Sequence, residues 1–263
     1  MTDSDVLARF LAYSERLAAN AEADPDVIGL VMVGSAAETF RADEWSDHDF
    51  FWVVKPGLGE KYRNDLSWIP DIESAVLHPR ETAHGLKVVF DDGRVLEFAV
   101  FEDAELELAG LNAYAVAVDK QDILARCVAI QKRTSENAAK PFDRAKEFEL
   151  FLSLLLIGSG RARRGEVLVA GQFIRSYCLG NLLGLIRNAL APVPGTESKQ
   201  DNLDRYRRFD FQYPSLSRRI ENALQKDLDA AAQDLLEIAV GLRPLSEREL
   251  TQVAAVKKRL GWN

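Results

Sequence analysis

The chain has 263 residues, of which 47% are hydrophobic and 28% are charged, a composition typical of soluble globular proteins of one or two domains. The formal net charge of −8 disfavours a nucleic acid as the main partner, because a phosphate backbone attracts basic surfaces. The two cysteines show neither metal-ligand spacing nor a disulfide framework. The acidic N-terminus is unlike a signal peptide and no apolar stretch reaches the length of a membrane span, so we expect a soluble, cytoplasmic protein without membrane contact.

The first half of the chain predicts an α/β domain. Apolar residues at helical spacing indicate a helix over residues 3–23, and Asp24-Pro25-Asp26 ends it. The continuous apolar runs 27–33 and 49–54 suit strands that are buried on both faces. The further predicted elements are short helices over 36–40 and 60–68 and strands over 75–77, 86–90, 95–101 and 113–118. We expect a mixed sheet of about four to six strands, with helices on one face.

The second half of the chain predicts only helices. Helical periodicity continues from about residue 120 to the end, with breaks near Pro141, residues 158–165, residues 192–195, Pro214 and Pro244. The predicted fold class is therefore α/β (α+β), a small mixed-sheet domain followed by an all-helical bundle. A domain boundary is expected where the character of the chain changes, and we place it after residue 130, which gives domains 1–130 and 131–263.

The strongest functional signal is a strand–turn–strand segment, VGSAAETFRADEWSDHDFFWVV. Gly34-Ser35 directly after a strand lets the backbone approach a ligand closely and present N–H groups to phosphate oxygens. Asp47 and Asp49 are two residues apart, so on an extended strand both carboxylates project from the same face. Glu97 is a single acid within the apolar strand RVLEFAVF, where burying a lone carboxylate is costly. Three converging carboxylates would form a site for hard cations such as Mg²⁺.

Gly-Ser, 11 residues and then Asp-x-Asp leading into an apolar strand resemble the signature of the DNA polymerase beta-type nucleotidyltransferase superfamily. A small α/β domain followed by a helical domain is similar to the bacterial antibiotic nucleotidyltransferases, which adenylylate aminoglycosides or lincosamides. The resemblance implies a Mg²⁺-dependent enzyme that transfers AMP from ATP to a hydroxyl of a small-molecule acceptor, such as an antibiotic, and releases pyrophosphate. Because the related enzymes often build their sites at a dimer interface, the resemblance also implies that a homodimer is possible.

The same resemblance assigns roles to individual residues. Gly34 and Ser35 would hold the β- and γ-phosphates of the nucleoside triphosphate, and Asp47 and Asp49 would bind Mg²⁺. Glu97 would complete the metal site or accept the proton of the attacking hydroxyl.

A second candidate for the general base follows from the aminoglycoside enzymes. Some of them take the base from a glutamate of the helical domain, and Glu166 in RARRGEVLVAGQF is the matching candidate. The lysine that follows one turn later in those enzymes is Ala170 here. A further departure is His48, which is polar where the superfamily usually has an apolar residue.

The acceptor is less well defined by the sequence. Glu147, Glu149 and Glu166 near the domain boundary predict a pocket that pairs with ammonium groups and hence a cationic acceptor. Two alternative functions remain open: a nucleotidyltransferase acting on protein or RNA, and a non-catalytic nucleotide-binding or interaction protein. The presence of all three carboxylates argues against a non-catalytic protein, and the acidic net charge argues against RNA.

Overall fold

The computed structural model describes residues 3–262, which form two compact units. The first unit ends at Ala139 and the second begins at Lys140. Residue 130, the predicted boundary, lies inside a helix of the first unit (Ile123–Ala138). The first unit contains a mixed sheet with helices, and every regular element described from Lys140 onward is helical. The fold class is thus the predicted one, a mixed-sheet α/β unit followed by an all-helical unit.

The sheet of the first unit has six strands. They are β1 Val27–Val33, β2 His48–Val54, β3 Ala75–Leu77, β4 Gly85–Phe90, β5 Val95–Glu102 and β6 Tyr114–Asp119. Their order across the sheet is β3-β4-β5-β2-β1-β6. Strands β2 and β5 are parallel, whereas every other neighbouring pair is antiparallel. Because β2 and β5 pair at the centre of the sheet, residues of these two strands lie side by side although they are far apart in the sequence.

Among the described residues, the α-helices that accompany this sheet are α1 Asp3–Ala23, α2 Gly34–Ala37, α3 Gly59–Asn64 and α4 Ile123–Ala138. One face of the sheet forms a core with α1 and α3 and contributes Leu30 and Trp52 to it. The opposite face forms a second core with α4 and contributes Val31 and Val53. The prediction of helices on one face only is therefore wrong. Successive residues of a strand point to opposite faces, so an uninterrupted apolar run requires cover on both.

The second unit packs its helices around one core of buried aliphatic and aromatic residues. The helices are α5 Arg144–Arg163, α6 Val167–Gln172, α7 Leu179–Ala189, α8 Phe209–Gln212, α9 Pro214–Leu224, α10 Leu228–Val240 and α11 Glu247–Leu260. A π-helical turn, Phe173–Cys178, joins α6 to α7. The side chain of Ser246 caps the N-terminus of α11 by accepting a hydrogen bond from the backbone N–H of Glu249. No helix within residues 3–262 is both long enough and apolar enough to cross a membrane.

Candidate metal and nucleotide site

The candidate site begins with a row of side chains that runs across the sheet. Glu97 of β5 is directly opposite Asp49 of β2, and Lys87 of β4 is directly opposite Glu97. Residues in direct register project from the same face of a sheet, so these three side chains share a face. Phe51 and Ala99, two residues further along β2 and β5, pack against the core formed with α4. The row therefore lies on the α4 face, beside that core.

The three predicted carboxylates converge. One oxygen each of Asp47, Asp49 and Glu97 can be chosen so that all three lie within 4.8 Å of one another. The two aspartates are half-buried, whereas the side chain of Glu97 is 48% exposed. Negative charges this close repel one another, so the cluster is costly unless a cation offsets it. Mg²⁺ prefers carboxylate oxygens as protein ligands, and the donor set therefore fits that metal.

The Gly-Ser pair is held against both aspartates. Gly34 adopts a φ of +57°, and a Cβ atom at this position would lie 2.5 Å from Oδ2 of Asp49. The hydroxyl of Ser35 donates a hydrogen bond to the carbonyl of Asp47, at 3.2 Å. The short helix α2 begins at Gly34, two residues before the predicted start. A residue without a side chain is thus required for the backbone after β1 to approach the carboxylate cluster.

His48, between the two aspartates, is a core residue. Its side chain points away from the carboxylates because successive strand residues alternate between faces. The residue is 3% exposed, its ring stacks on Phe10 with centroids 3.9 Å apart, and Nε2 lies 3.0 Å from the carbonyl of Phe10. A carbonyl can only accept, so Nε2 carries the proton. Burial lowers the pKa of His48 to about 4.

We expect this histidine to make the protein sensitive to acid. The pKa of His48 is lower in the folded state than in the unfolded state. The contribution of the neutral ring to the unfolding free energy is therefore complete above pH 6.5 and is lost as the pH falls toward 4. From these two pKa values, about 2 kcal/mol of unfolding free energy is lost between pH 6.5 and 4.5, a range above most carboxylate titrations. Urea unfolding at a series of pH values measures this loss.

The control is His48→Leu, whose stability should change little over the same pH range. The Phe10 carbonyl keeps a partner in this variant, because it also accepts a hydrogen bond from the hydroxyl of Ser14. Parallel curves for the variant and the wild type would contradict the assignment of acid sensitivity to His48.

Glu166 lies in the second unit, directly before α6. Its carboxylate pairs with Arg161 at 2.5 Å and with Arg164 at 3.1 Å. The hydrogen bond from Arg161 lowers the pKa of Glu166. A lower pKa makes a carboxylate a weaker proton acceptor, so these arginines oppose the role of general base. That role stays a prediction.

The other two glutamates predicted to attract a cationic acceptor are also paired within the second unit. Glu147 pairs with Arg205, and Glu149 lies 2.6 Å from Arg248. Like Glu166, both therefore have their negative charge offset by an arginine. These residues give no support to a cationic acceptor over a neutral one.

Lys87 was not singled out from the sequence. Its ammonium lies 2.9 Å from Oε2 of Glu81 and 3.6 Å from Oε2 of Glu97. Its position opposite Glu97 could have been predicted from the tight turn at Asp91-Asp92-Gly93, because a tight turn fixes the register of the two strands that it joins. Counting back from that turn along both strands brings Lys87 opposite Glu97.

Comparisons with known proteins give weak similarities. No family model matches the chain, and no curated protein matches its sequence. An aminoglycoside 6-adenyltransferase from Bacillus subtilis is 14% identical, with 95% of this chain and 91% of that chain covered and a TM-score of 0.30. A nucleotidyltransferase-like protein from Exiguobacterium sibiricum 255-15 is 12% identical, with 95% and 88% covered and a TM-score of 0.33. CdnC from E. coli MS115-1, solved with ATP, is 13% identical, with 98% and 92% covered and a TM-score of 0.32.

TM-scores at this level carry no argument about a shared fold or activity. Three features of the chain itself indicate a function: the carboxylate cluster, the glycine that approaches it and the pairing of β2 with β5.

Proposed function

We propose that the protein is a nucleotidyltransferase that transfers AMP from ATP to a hydroxyl of a small molecule and releases pyrophosphate. The observation that carries this proposal is the convergence of Asp47, Asp49 and Glu97 within 4.8 Å, beside a glycine that admits no side chain. The sequence signature at Gly34-Ser35 and Asp47-x-Asp49, which resembles that of nucleotidyltransferases, supports the same conclusion.

In the proposed reaction, an oxygen of the acceptor forms a bond to the α-phosphorus of the nucleotide. The bond from that phosphorus to the oxygen bridging the α- and β-phosphates breaks, and pyrophosphate leaves with the bonding electrons. The hydroxyl proton passes to a carboxylate, either Glu97 or Glu166. Gly34 and Ser35 would bind the phosphates through their backbone, a contact that requires the close approach seen at this turn.

Asp47, Asp49 and Glu97 would hold Mg²⁺, since three carboxylates supply the hard oxygen ligands that this ion prefers. When bound, Mg²⁺ supplies electrostatic stabilisation of the charge that develops on the attacking and leaving oxygens. The protein contributes by fixing Asp49 and Glu97 in register on adjacent strands, so that little reorganisation of these two carboxylates is required.

The decisive experiment incubates the full chain with ATP and Mg²⁺ and measures pyrophosphate release across aminoglycosides, lincosamides and tRNA. We expect release that depends on Mg²⁺ and on one small-molecule class, with a product that carries an added AMP by mass spectrometry. Release with tRNA alone would replace the proposed acceptor with RNA. Nucleotide binding without release under any condition would indicate a non-catalytic nucleotide-binding protein.

One variant in the same assay separates the two candidate bases. If Glu166 is the base, Glu166→Gln loses transfer while Mn²⁺ binding by the chain is unchanged. If transfer by this variant equals that of the wild type, the proton passes to Glu97. The ion pairs of Glu166 favour the second outcome, because they lower the pKa of its carboxyl group and so make it a weaker proton acceptor.

A further inference from the structure

Lys87 stands between two carboxylates at the end of the cross-sheet row. Its ammonium lies 2.9 Å from Glu81 and 3.6 Å from Glu97, and all three side chains are partly exposed. Glu81 precedes β4 and is tied to its start by a backbone hydrogen bond to Gly85, at 2.9 Å. One lysine is therefore shared by a carboxylate of the cluster and a carboxylate outside it.

This arrangement has a consequence for the carboxylate cluster. The positive charge of Lys87 offsets part of the repulsion among Asp47, Asp49 and Glu97 when no metal ion is bound. A divalent cation held by the cluster would also draw on the oxygens of Glu97, and it would repel the ammonium of Lys87, which lies 3.6 Å from that carboxylate. Lys87 and a divalent cation therefore oppose each other at Glu97.

We propose that Lys87 is a positioning residue that pairs with Glu97 in the cation-free protein and shifts to Glu81 when a divalent cation binds. Glu81 is already its nearer partner, so the shift requires a movement of the flexible lysine side chain and none of the strands. The competition sets the affinity of the cluster for the cation. This inference rests on the proposed use of the three carboxylates as a cation site.

The test measures binding of Mn²⁺ alone to the full chain, from the electron paramagnetic resonance signal of the free ion. Lys87→Gln should raise the affinity about two- to fivefold, the value of a partly exposed ion pair. Glu81→Gln should lower it by a similar factor, because Lys87 then has Glu97 as its remaining carboxylate partner among those described. Lys87→Arg keeps the charge and should bind Mn²⁺ like the wild type.

The double variant separates a shift between partners from a simple effect of charge. If Lys87 mediates the effect of Glu81, then Lys87→Gln combined with Glu81→Gln should bind Mn²⁺ as Lys87→Gln does. If each residue instead acts on the cation independently through its own charge, the changes in binding free energy of the two single variants add in the double variant. A control for net charge is Lys61→Gln. Lys61 lies in α3, which packs on the face of the sheet opposite the carboxylate row, and it pairs with Asp26. Its loss should leave the Mn²⁺ affinity unchanged.

The outcomes distinguish this inference from the proposed function. An unchanged or lower Mn²⁺ affinity of Lys87→Gln, or additive effects in the double variant, would overturn the role of Lys87 alone. Mn²⁺ binding by the wild type and its loss in Asp49→Asn would still support the metal site. Absence of Mn²⁺ binding by the wild type would overturn both. Thermal unfolding of each variant shows whether a change in affinity reflects a loss of fold.

Discussion

Replacing Asp49 or Asp47 by asparagine is expected to reduce nucleotidyl transfer by about 10³-fold or more, the loss that accompanies removal of several kcal/mol of transition-state stabilisation. Asparagine keeps the shape of the side chain but replaces a charged oxygen with a neutral amide, which is a weaker ligand for Mg²⁺. Transfer is measured as pyrophosphate release at saturating ATP. Mn²⁺ binding, measured separately, should be lost in the same variants.

The fold should survive both substitutions. The three carboxylates lie within 4.8 Å of one another, so removing one charge relieves repulsion. Thermal unfolding without divalent cations should therefore give a stability equal to or above that of the wild type. The matched control is Asp91→Asn, which removes the same charge from the exposed turn between β4 and β5 and should leave transfer intact. Equal losses of transfer in the control and the site variants would contradict the assigned role.

The strands themselves could be predicted from the sequence because each is an apolar run bounded by turn residues. The runs 27–33 and 49–54 correspond to β1 and β2, with one residue added at the start of β2. The pairing of β2 with β5 could not be predicted from the residues. Parallel pairing of strands separated by a long stretch of chain depends on tertiary packing and leaves no local signal. Glu97 was expected near the aspartates because a lone acid in an apolar strand is costly to bury and because of the family resemblance, but neither identifies the residue of β2 that it lies opposite.

Two features of the first unit depend on the alternation of strand residues between the faces of the sheet. His48 was noted as a departure from an apolar position, yet it occupies that position as a buried, neutral ring stacked on Phe10. Its neighbours Asp47 and Asp49 differ from it because alternate strand residues face opposite sides. The prediction of helices on one face conflicted with the expected burial of run 27–33 on both faces, and Leu30 and Val31, which point to opposite faces, are indeed both fully buried.

Glu166 illustrates a different limit. A glutamate before a helix is compatible with a catalytic base and with an ion pair, and the sequence around it contains several arginines. Which arginine reaches the carboxylate depends on the local turn between α5 and α6, where Gly165 adopts a φ of +80°. The pairing with Arg161 and Arg164 emerges only from that geometry. Residue type and helix position alone therefore could not decide between the two roles.

Gly34→Ala is expected to reduce transfer by about 100-fold, because a displacement of about 1 Å in a positioned group costs that much. The added Cβ would lie 2.5 Å from Oδ2 of Asp49, closer than any non-bonded contact allows. The carboxylate is the mobile partner in this contact, so Asp49 should rotate out of the cluster. An alanine at the positive φ of Gly34 also destabilises the folded state, by about 1–2 kcal/mol of unfolding free energy.

The control for backbone strain is Gly93→Ala in the turn between β4 and β5. Gly93 has a φ of +86°, and a Cβ atom there would meet no heavy atom within 4 Å. Both variants should lose about 1–2 kcal/mol in urea unfolding, because both place alanine at positive φ. Only Gly34→Ala should also lose transfer and Mn²⁺ affinity, since only that methyl group displaces a carboxylate of the cluster. If both variants lose transfer to the same extent, general destabilisation and not the contact with Asp49 explains the effect.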